Sequence, residues 1–348
     1  MTKARILSGA LLVVLLAAAA GAQDKDLLSL AADLGGVLEW DPLRDVGVIS
    51  FGADRISLGV GIDLAVINYR LKVGIDPPLR KNGAVWLTAA AVAALSDAVQ
   101  KDRLSHAGDH MRVAAVLIDP GHGGKDGGAV GSVTVGKRQV TLREKDITLS
   151  VAQRLSEKLK RAYPDKEILF TRTVDSFVSL EDRVVIANSL LEKSKDTVLY
   201  VSIHANTSPF NKNASGFEVW CLPPEYKRTL IDDTAAGKDN HEILPILNGM
   251  LEEEISLEST VLAQEILSGL DAKIGQLSAD RGLRQNDWYV VRNARMPAVL
   301  VEVGFVSNPD EGARLADDAY LQDVAEGMYS GLRAFIGRFE QNGSAGAR

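Results

Sequence analysis

The chain is expected to fold as an α/β protein, an open, mixed, twisted sheet flanked by helices, preceded by a small α+β domain. Three observations carry this. From residue 113 onward, apolar runs of strand length alternate with segments whose apolar residues recur every four positions, the alternation that lays helices on the faces of a sheet. Several of those runs end in His or Glu. The first breaks on Pro120, Gly121, Gly123 and Gly124, with His122 at the break, where open α/β sheets place their chemistry. Before residue 113 the pattern changes to short β-type runs punctuated by Gly and Asp.

At 348 residues there is room for two domains, and 46% hydrophobic with 24% charged residues is ordinary globular composition. A net charge of −7, with no basic stripe, argues against a nucleic-acid binder. The single cysteine, Cys221, excludes an intrachain disulfide and reads as a small buried hydrophobe. Residues 1–22 have the pattern of a secretory signal: Lys3 and Arg5, an apolar stretch Ile6 to Ala20, and the small residues Ala20-Gly21-Ala22. No other stretch is apolar enough to cross a bilayer. The mature chain is therefore expected to be exported, periplasmic or cell-wall associated, without stable membrane insertion.

Residues 25–105 form the small domain. Leu27, Leu28, Leu30, Ala31 and Leu34 start a helix; Val46 to Phe51, Ile56 to Val60 and Leu64 to Leu71 read as strands; Trp86 to Val99 reads as an alanine-rich helix. Polar residues around Gly108 make 106–112 a linker, and His106 and His110 are taken as solvated. The string Leu34 to Asp41, with Pro77-Pro78 and the helix that follows, resembles the small domain named after the amino terminus of copper amine oxidases. That resemblance implies a wall-binding or spacer role; no histidine precedes His106, so copper is not implied.

Residues 113–340 form the larger domain. Val113 to Ile118 is a buried strand, and Ile147, Val151, Leu155 and Leu159 mark a helix face. Ile168 to Thr171 is a short strand. Ser179 caps a helix whose inner face is Leu180, Val184, Ala187 and Leu191. Val198 to Ile203 is a strand ending at His204; Gly216 to Leu222 is another; Leu262, Ile266 and Leu270 mark a helix. Ala298 to Val301 is a strand ending at Glu302, and Leu321, Val324, Met328, Leu332 and Phe335 make the last helix. Residues 341–348 read as a frayed tail. An insertion, 223–257, carries Pro223-Pro224, a polar centre and a helix from Ile243 to Leu257 bearing Glu252, Glu253 and Glu254.

A catalytic zinc takes three ligands from His, Asp or Glu and keeps one position for water, and a further carboxylate is needed to move protons. His122, Glu144 and His204 meet the ligand requirement and Glu302 that of the base. Glu144 has a competing reading, since Thr141-Leu142-Arg143-Glu144 has capping-box spacing. No His-Glu-x-x-His motif is present, and Gly124-Lys125-Asp126 lacks the ending of a phosphate-binding loop.

Val116 to Gly131 with Arg143-Glu144-Lys145-Asp146, then Ser202 to Asn206, Gly216-Phe217-Glu218, Arg281-Gly282, Val291-Arg292-Asn293 and Met296 to Asn308, taken together and in this order, resemble the zinc-dependent N-acetylmuramoyl-L-alanine amidases. One departure is Asp126-Gly127-Gly128, where that family usually has a proline after the aspartate; this alters loop stiffness and removes no ligand. The resemblance implies His122, Glu144 and His204 as ligands of one zinc ion, Glu302 as the catalytic glutamate, and peptidoglycan as substrate, cut between N-acetylmuramic acid and L-alanine of the stem peptide. Asn206 and Arg292 are expected either to touch substrate or to tie down loops. The inserted helix is expected to gate the site, with one of Glu252, Glu253 and Glu254 reaching the metal until a protein activator displaces it; the bland alternative is an acidic surface helix. Two other readings stay open: a non-catalytic wall-binding or activator protein on the same fold, and a zinc peptidase acting within the stem.

Overall fold

The computed structural model describes residues 23–345 apart from 43–44, 52–53, 68–70, 106–111, 195, 229 and 231–243. The signal segment, His106, His110 and the polar centre of the insertion lie outside the described residues. The chain forms two compact units, the second made of Arg112–Ala236 and Leu244–Phe339.

In the first unit, β1 (Lys25–Asp26) leads into α1 (Leu27–Asp33), which is capped by the Asp26 side chain accepting from Ser29 N at 3.0 Å. Strands β2 (Val37–Asp41), β3 (Val46–Phe51), β4 (Asp54–Gly59), β5 (Leu64–Ile67) and β6 (Leu71–Gly74) form an antiparallel meander in chain order. Strands β7 (Leu79–Lys81) and β8 (Ala84–Leu87) join β1 in a second sheet, and α2 (Ala89–Ser105) follows. The helix expected from Trp86 starts at Ala89 because Trp86 and Leu87 are drawn into pairing with Asp26 and Lys25. Leu27, Leu30, Ile49, Ile56, Ile67, Leu87 and Leu95 share one core.

In the second unit, β9 (Val113–Pro120) is followed by a hairpin of β10 (Val130–Val135) and β11 (Arg138–Arg143), then by α3 (Glu144–Ala162), β12 (Glu167–Phe170), α4 (Leu180–Lys193), β13 (Thr197–Asn206) and β14 (Phe217–Cys221). Next come α5 (Leu244–Ile274), β15 (Asp280–Gln285), α6 (Tyr289–Asn293), β16 (Ala298–Phe305), α7 (Pro309–Leu315) and α8 (Asp318–Ala345), of which this unit holds the part to Phe339. The sheet has six strands in the order β12-β9-β13-β16-β14-β15, all neighbours parallel except β16 with β14, and so is mixed as expected. The central strands β9, β13 and β16 are near-continuous apolar runs because both faces of the sheet are covered. Val116, Leu117, Ile118, Val198, Leu199, Val201, Val299 and Val301 are all fully buried.

Ser179 caps α4 as expected, accepting from Asp182 N at 3.0 Å. The β10–β11 hairpin had no apolar run to announce it, since its strands alternate Val with Gly, Ser, Thr, Arg and Gln. The two helices expected at Ile243–Leu257 and around Leu262–Leu270 are one helix, α5. No Pro or Gly lies between Gly249 and Gly269 to break it. Gly269 is where α5 meets α8: a Cβ there would lie 2.3 Å from the carbonyl oxygen of Gly327. Helix α8 continues to Ala345, past the expected start of the tail.

Candidate metal centre

The loop after β9 is built by buried cations. His122 sits at φ +60°, left-handed backbone that a side chain other than Gly rarely adopts, so its surroundings must hold it there. Arg172 donates through Nε to Pro120 O at 2.9 Å and through Nη2 to Gly121 O at 2.8 Å. Arg183 donates to Pro120 O at 2.8 Å and to His122 O at 2.7 Å. Arg183 is itself paired with buried Asp119, which also accepts from Thr171 Oγ1, from Tyr200 OH at 2.6 Å and from Ser202 Oγ at 2.7 Å. Burial raises the Asp119 carboxyl, but the Arg183 charge and these hydrogen bonds outweigh it and hold it below the usual range. Asp175 accepts from Gly124 N and Lys145 Nζ, both at 2.7 Å, fixing the far side of the loop. Arg172, Asp175 and Arg183 thus form the frame of the histidine loop, while Glu181 stays exposed.

His122, Glu144 and His204 come together. His122 Nε2 lies 3.1 Å and His204 Nδ1 2.9 Å from the same oxygen, Glu144 Oε1. The two rings meet edge to face with centroids 5.1 Å apart. One ligand atom from each of the three residues falls within a 4.8 Å span. Glu144 also accepts from Ala129 N at 2.8 Å and Ala205 N at 3.1 Å. It is the first residue of α3; Arg143 before it makes no side-chain cap and Thr141 belongs to β11, so the capping-box reading gives way. Burial pushes the Glu144 carboxyl up, and the bonds and charges of both histidines overcome this and hold it far below the carboxylate range. Burial likewise opposes the charged form of His122, but Glu144 and then Asp126 raise its pKa above the ordinary value. Packing leaves no slack: a Cβ on Gly121 would lie 2.4 Å from His204 Cε1.

Glu302 stands one strand away. It is paired with His204 in the β13–β16 register and with Glu218 in the β16–β14 register. Its residue is partly exposed, but Oε2 is buried and has no hydrogen-bond partner among the described residues. Burial first, then the negative charges of Glu144 and Glu218, push its carboxyl well above the usual range.

Two imidazole nitrogens lie 2.9–3.1 Å from one carboxylate oxygen, and the three donor atoms fall within 4.8 Å of one another, a cluster of the residue types that hold zinc. A buried carboxylate oxygen without a partner lies on the next strand. The residues therefore fit a single divalent cation.

The other expected residues are placed differently. Asn206 donates through Nδ2 to Glu218 Oε1 at 2.8 Å. Arg292 pairs with Asp287 at 3.3 Å and lies over the Tyr289 ring at 5.5 Å. Glu252 is buried and held by Arg228 through two side-chain bonds, Nε to Oε2 at 2.7 Å and Nη2 to Oε1 at 2.8 Å, and a longer one from the Arg228 backbone N at 3.4 Å; Glu253 is exposed. Among the described residues none of Glu252, Glu253 and Glu254 joins the His122–Glu144–His204 group.

Two residues stand in motifs of the sequence but carry no role there. Asp126 Oδ2 lies 2.9 Å from His122 Nδ1, fixing the ring so that Nε2 faces Glu144. Its spacing of four from His122 was the only signal. Glu218 is buried, though it stands in an apolar run between Phe217 and Val219; a charge in such a run needs a partner.

Fold and donor set together make this an α/β protein with a candidate His–Glu–His metal centre. Residues 116–334 match the family model described as N-acetylmuramoyl-L-alanine amidase. The chain belongs to that family, whose members are hydrolases acting on an amide bond. It is 28% identical to the N-acetylmuramoyl-L-alanine amidase AmiA of Escherichia coli K12 over 277 residues, 73% of this chain and 90% of that protein. It is 29% identical to the sporulation-specific N-acetylmuramoyl-L-alanine amidase of Bacillus subtilis, over 62% of this chain and 66% of that protein. The solved catalytic domain of CwlV, an N-acetylmuramoyl-L-alanine amidase from Bacillus (Paenibacillus) polymyxa, is 30% identical, covers 65% of this chain and 99% of its own, and superposes with a TM-score of 0.48.

Proposed function

We propose that the protein is an exported, zinc-dependent peptidoglycan hydrolase that cleaves the amide between the lactyl group of N-acetylmuramic acid and L-alanine of the stem peptide. The observation that carries this is the meeting of His122 Nε2 and His204 Nδ1 on Glu144 Oε1, with Glu302 paired to His204 on the next strand. His122, Glu144 and His204 would hold the ion. Two neutral imidazoles and one carboxylate suit zinc, which when bound supplies Lewis acidity to an amide carbonyl and acidifies water.

Glu302 does the proton transfers. Its carboxylate takes the proton of the attacking water and returns it to the departing amine. A carboxyl held above its ordinary pKa is a stronger base when ionised and keeps the proton long enough to deliver it. Asp126 orients His122, and the Arg172–Arg183 frame keeps the histidine loop in its strained backbone.

Export rests on the pattern of residues 1–22. The amino-terminal unit is proposed to bind wall or act as a spacer. The insertion is proposed to gate the site through the start of α5, with a protein activator as the trigger. Glu252 is engaged by Arg228, so such a gate works by covering, or through Glu254, after the Arg228–Glu252 pair is rearranged.

The test is digestion of purified sacculi by wild type and Glu302→Gln, with and without chelator, read by mass spectrometry. Intact stem peptides freed from glycan are expected from wild type without chelator alone. Fragments cut inside the stem would favour the peptidase reading, and equal release by both proteins would remove Glu302 from the mechanism. Deleting 240–256 should raise basal release if the insertion is a gate; unchanged release from a folded deletion would dismiss it.

A further inference from the structure

A second polar cluster lies beside the centre, on the edge strand. The β14–β15 register runs Phe217↔Asp280 and then Val219↔Leu283, so Glu218 alone faces both Arg281 and Gly282. Gly282 is at φ +84°, the backbone that such a bulge requires. Residues three apart on a regular strand point to opposite faces; the extra residue restores Arg281 and Arg284 to the same side. Both guanidiniums then approach one oxygen, Glu218 Oε2: Arg281 Nε at 2.7 Å and Arg284 Nε at 3.8 Å.

The charges do not balance. Glu218 Oε1 is taken by Asn206 at 2.8 Å and Oε2 by Arg281. Arg281 is further held over the Phe305 ring at 5.0 Å. Arg284 is left beyond hydrogen-bond distance, with its side chain 46% exposed and no other ion-pair partner among the described residues. One carboxylate thus serves two guanidiniums, and the Arg284 guanidinium, with Nε turned to Glu218, keeps its terminal donors for another acceptor. Glu218 is paired with Glu302 in register, so β15 lies roughly 10 Å, two strand spacings, from the strand that carries the proposed base.

We propose that Arg284, backed by Arg281 and Glu218, is a specificity-determining subsite for a carboxylate on the peptide side of the scissile amide. This rests on the amidase reading above. The lactyl carboxyl of the muramic acid is consumed in the amide, so the glycan side of the bond has no carboxylate to offer. The peptide side has one close by, the free α-carboxylate of the γ-linked glutamyl residue after L-alanine. A guanidinium fork takes such a group through two parallel charge-assisted bonds, and amidation of the carboxyl removes the charge and one acceptor.

The test compares two soluble substrates, N-acetylmuramyl-L-alanyl-γ-D-glutamyl peptide with a free α-carboxylate and the same compound as the α-carboxamide. Wild type is expected to favour the free acid by about tenfold or more in kcat/KM, with the difference in KM. In Arg284→Gln, kcat/KM on the free acid should fall to the level of the carboxamide, and Arg284→Lys should recover part of the preference. Matching melting curves confirm folding. Equal use of both substrates by wild type, or an equal loss on both in Arg284→Gln, overturns the subsite while leaving the amidase intact. If neither substrate is cleaved, calorimetry separates the two ideas. Tighter binding of the free acid, lost in Arg284→Gln, sustains a carboxylate site at Arg284 and counts against the amidase reading; binding without discrimination overturns the site.

Discussion

His204 and Glu302 occupy paired positions on adjacent parallel strands, β13 and β16. Neighbouring strands run about 4.8 Å apart with paired side chains on one face, so the pairing sets a proposed ligand and a proposed base side by side without any loop to position them. The residues before them on both strands are fully buried, which makes the register costly to slip.

Glu302→Gln should separate chemistry from stability. Sacculus digestion is expected to fall by about 10²–10⁴-fold, the usual contribution of a general acid–base residue. The raised carboxyl of Glu302 gives stability that is present below its ordinary 4.5 and lost as pH rises through the folded value. Without metal, Glu302→Gln should therefore melt higher than wild type at pH 7, and the gap should close as the pH falls below about 4.5. A lower melting temperature for the variant at pH 7 would contradict the burial argument.

Stability of the metal-free protein should be greatest in a window set by Glu144 and His122. Glu144 is depressed, so its contribution is present above its ordinary 4.5 and is lost as pH falls. His122 is raised, so its contribution is present below 6.5 and is lost as pH rises through its folded value. A zinc ion held by these groups would compete with their protons, so its stabilising effect should be larger at pH 8 than at pH 5.5. Thermal shift with and without zinc at the two pH values decides this; a shift independent of pH would count against the ligand set.

Asp126→Ala should weaken zinc binding by about 10–100-fold, because His122 loses the partner that fixes its ring. Competition against a chromogenic chelator measures it. Unaltered affinity would make Asp126 a loop residue only.

Gly121→Ala should abolish activity with little loss of secondary structure, since the new methyl would occupy the His204 ring position. Digestion of sacculi and far-ultraviolet circular dichroism together check this. Full activity would mean that the loop yields more than its packing suggests.

Glu252→Ala should cost about 3–5 kcal/mol, because it leaves the Arg228 guanidinium buried with the Ala294 carbonyl, at 2.6 Å, as its one hydrogen-bond acceptor among the described residues. Replacing both residues by Met should recover most of that. Urea melts of the three variants test it.

The sequence by itself determined the α/β class, the apolar runs that became β9, β13 and β16, and the residues that end them. Period and length alone decide these, because a strand covered on both faces must be apolar throughout. Residues 122, 144, 204 and 302 were likewise legible, each being a polar group at the end of a run or beside the glycine loop. The sequence was silent where the partner is remote in the chain. Glu252 read as a glutamate that could reach the metal, or as an acidic surface residue, until folding brought Arg228 onto it. Glu144 read as a ligand with a competing cap reading, and the contacts with both histidines are what set the cap aside. Asp126, Glu218 and the bulge at Gly282 gained their meaning only from register and ring orientation. Local propensity depends on neighbours along the chain, whereas hydrogen-bond pairing and burial depend on neighbours in space. Tertiary structure alone therefore decided which carboxylates meet the histidines, which meet arginine, and which is left buried with an oxygen unpaired.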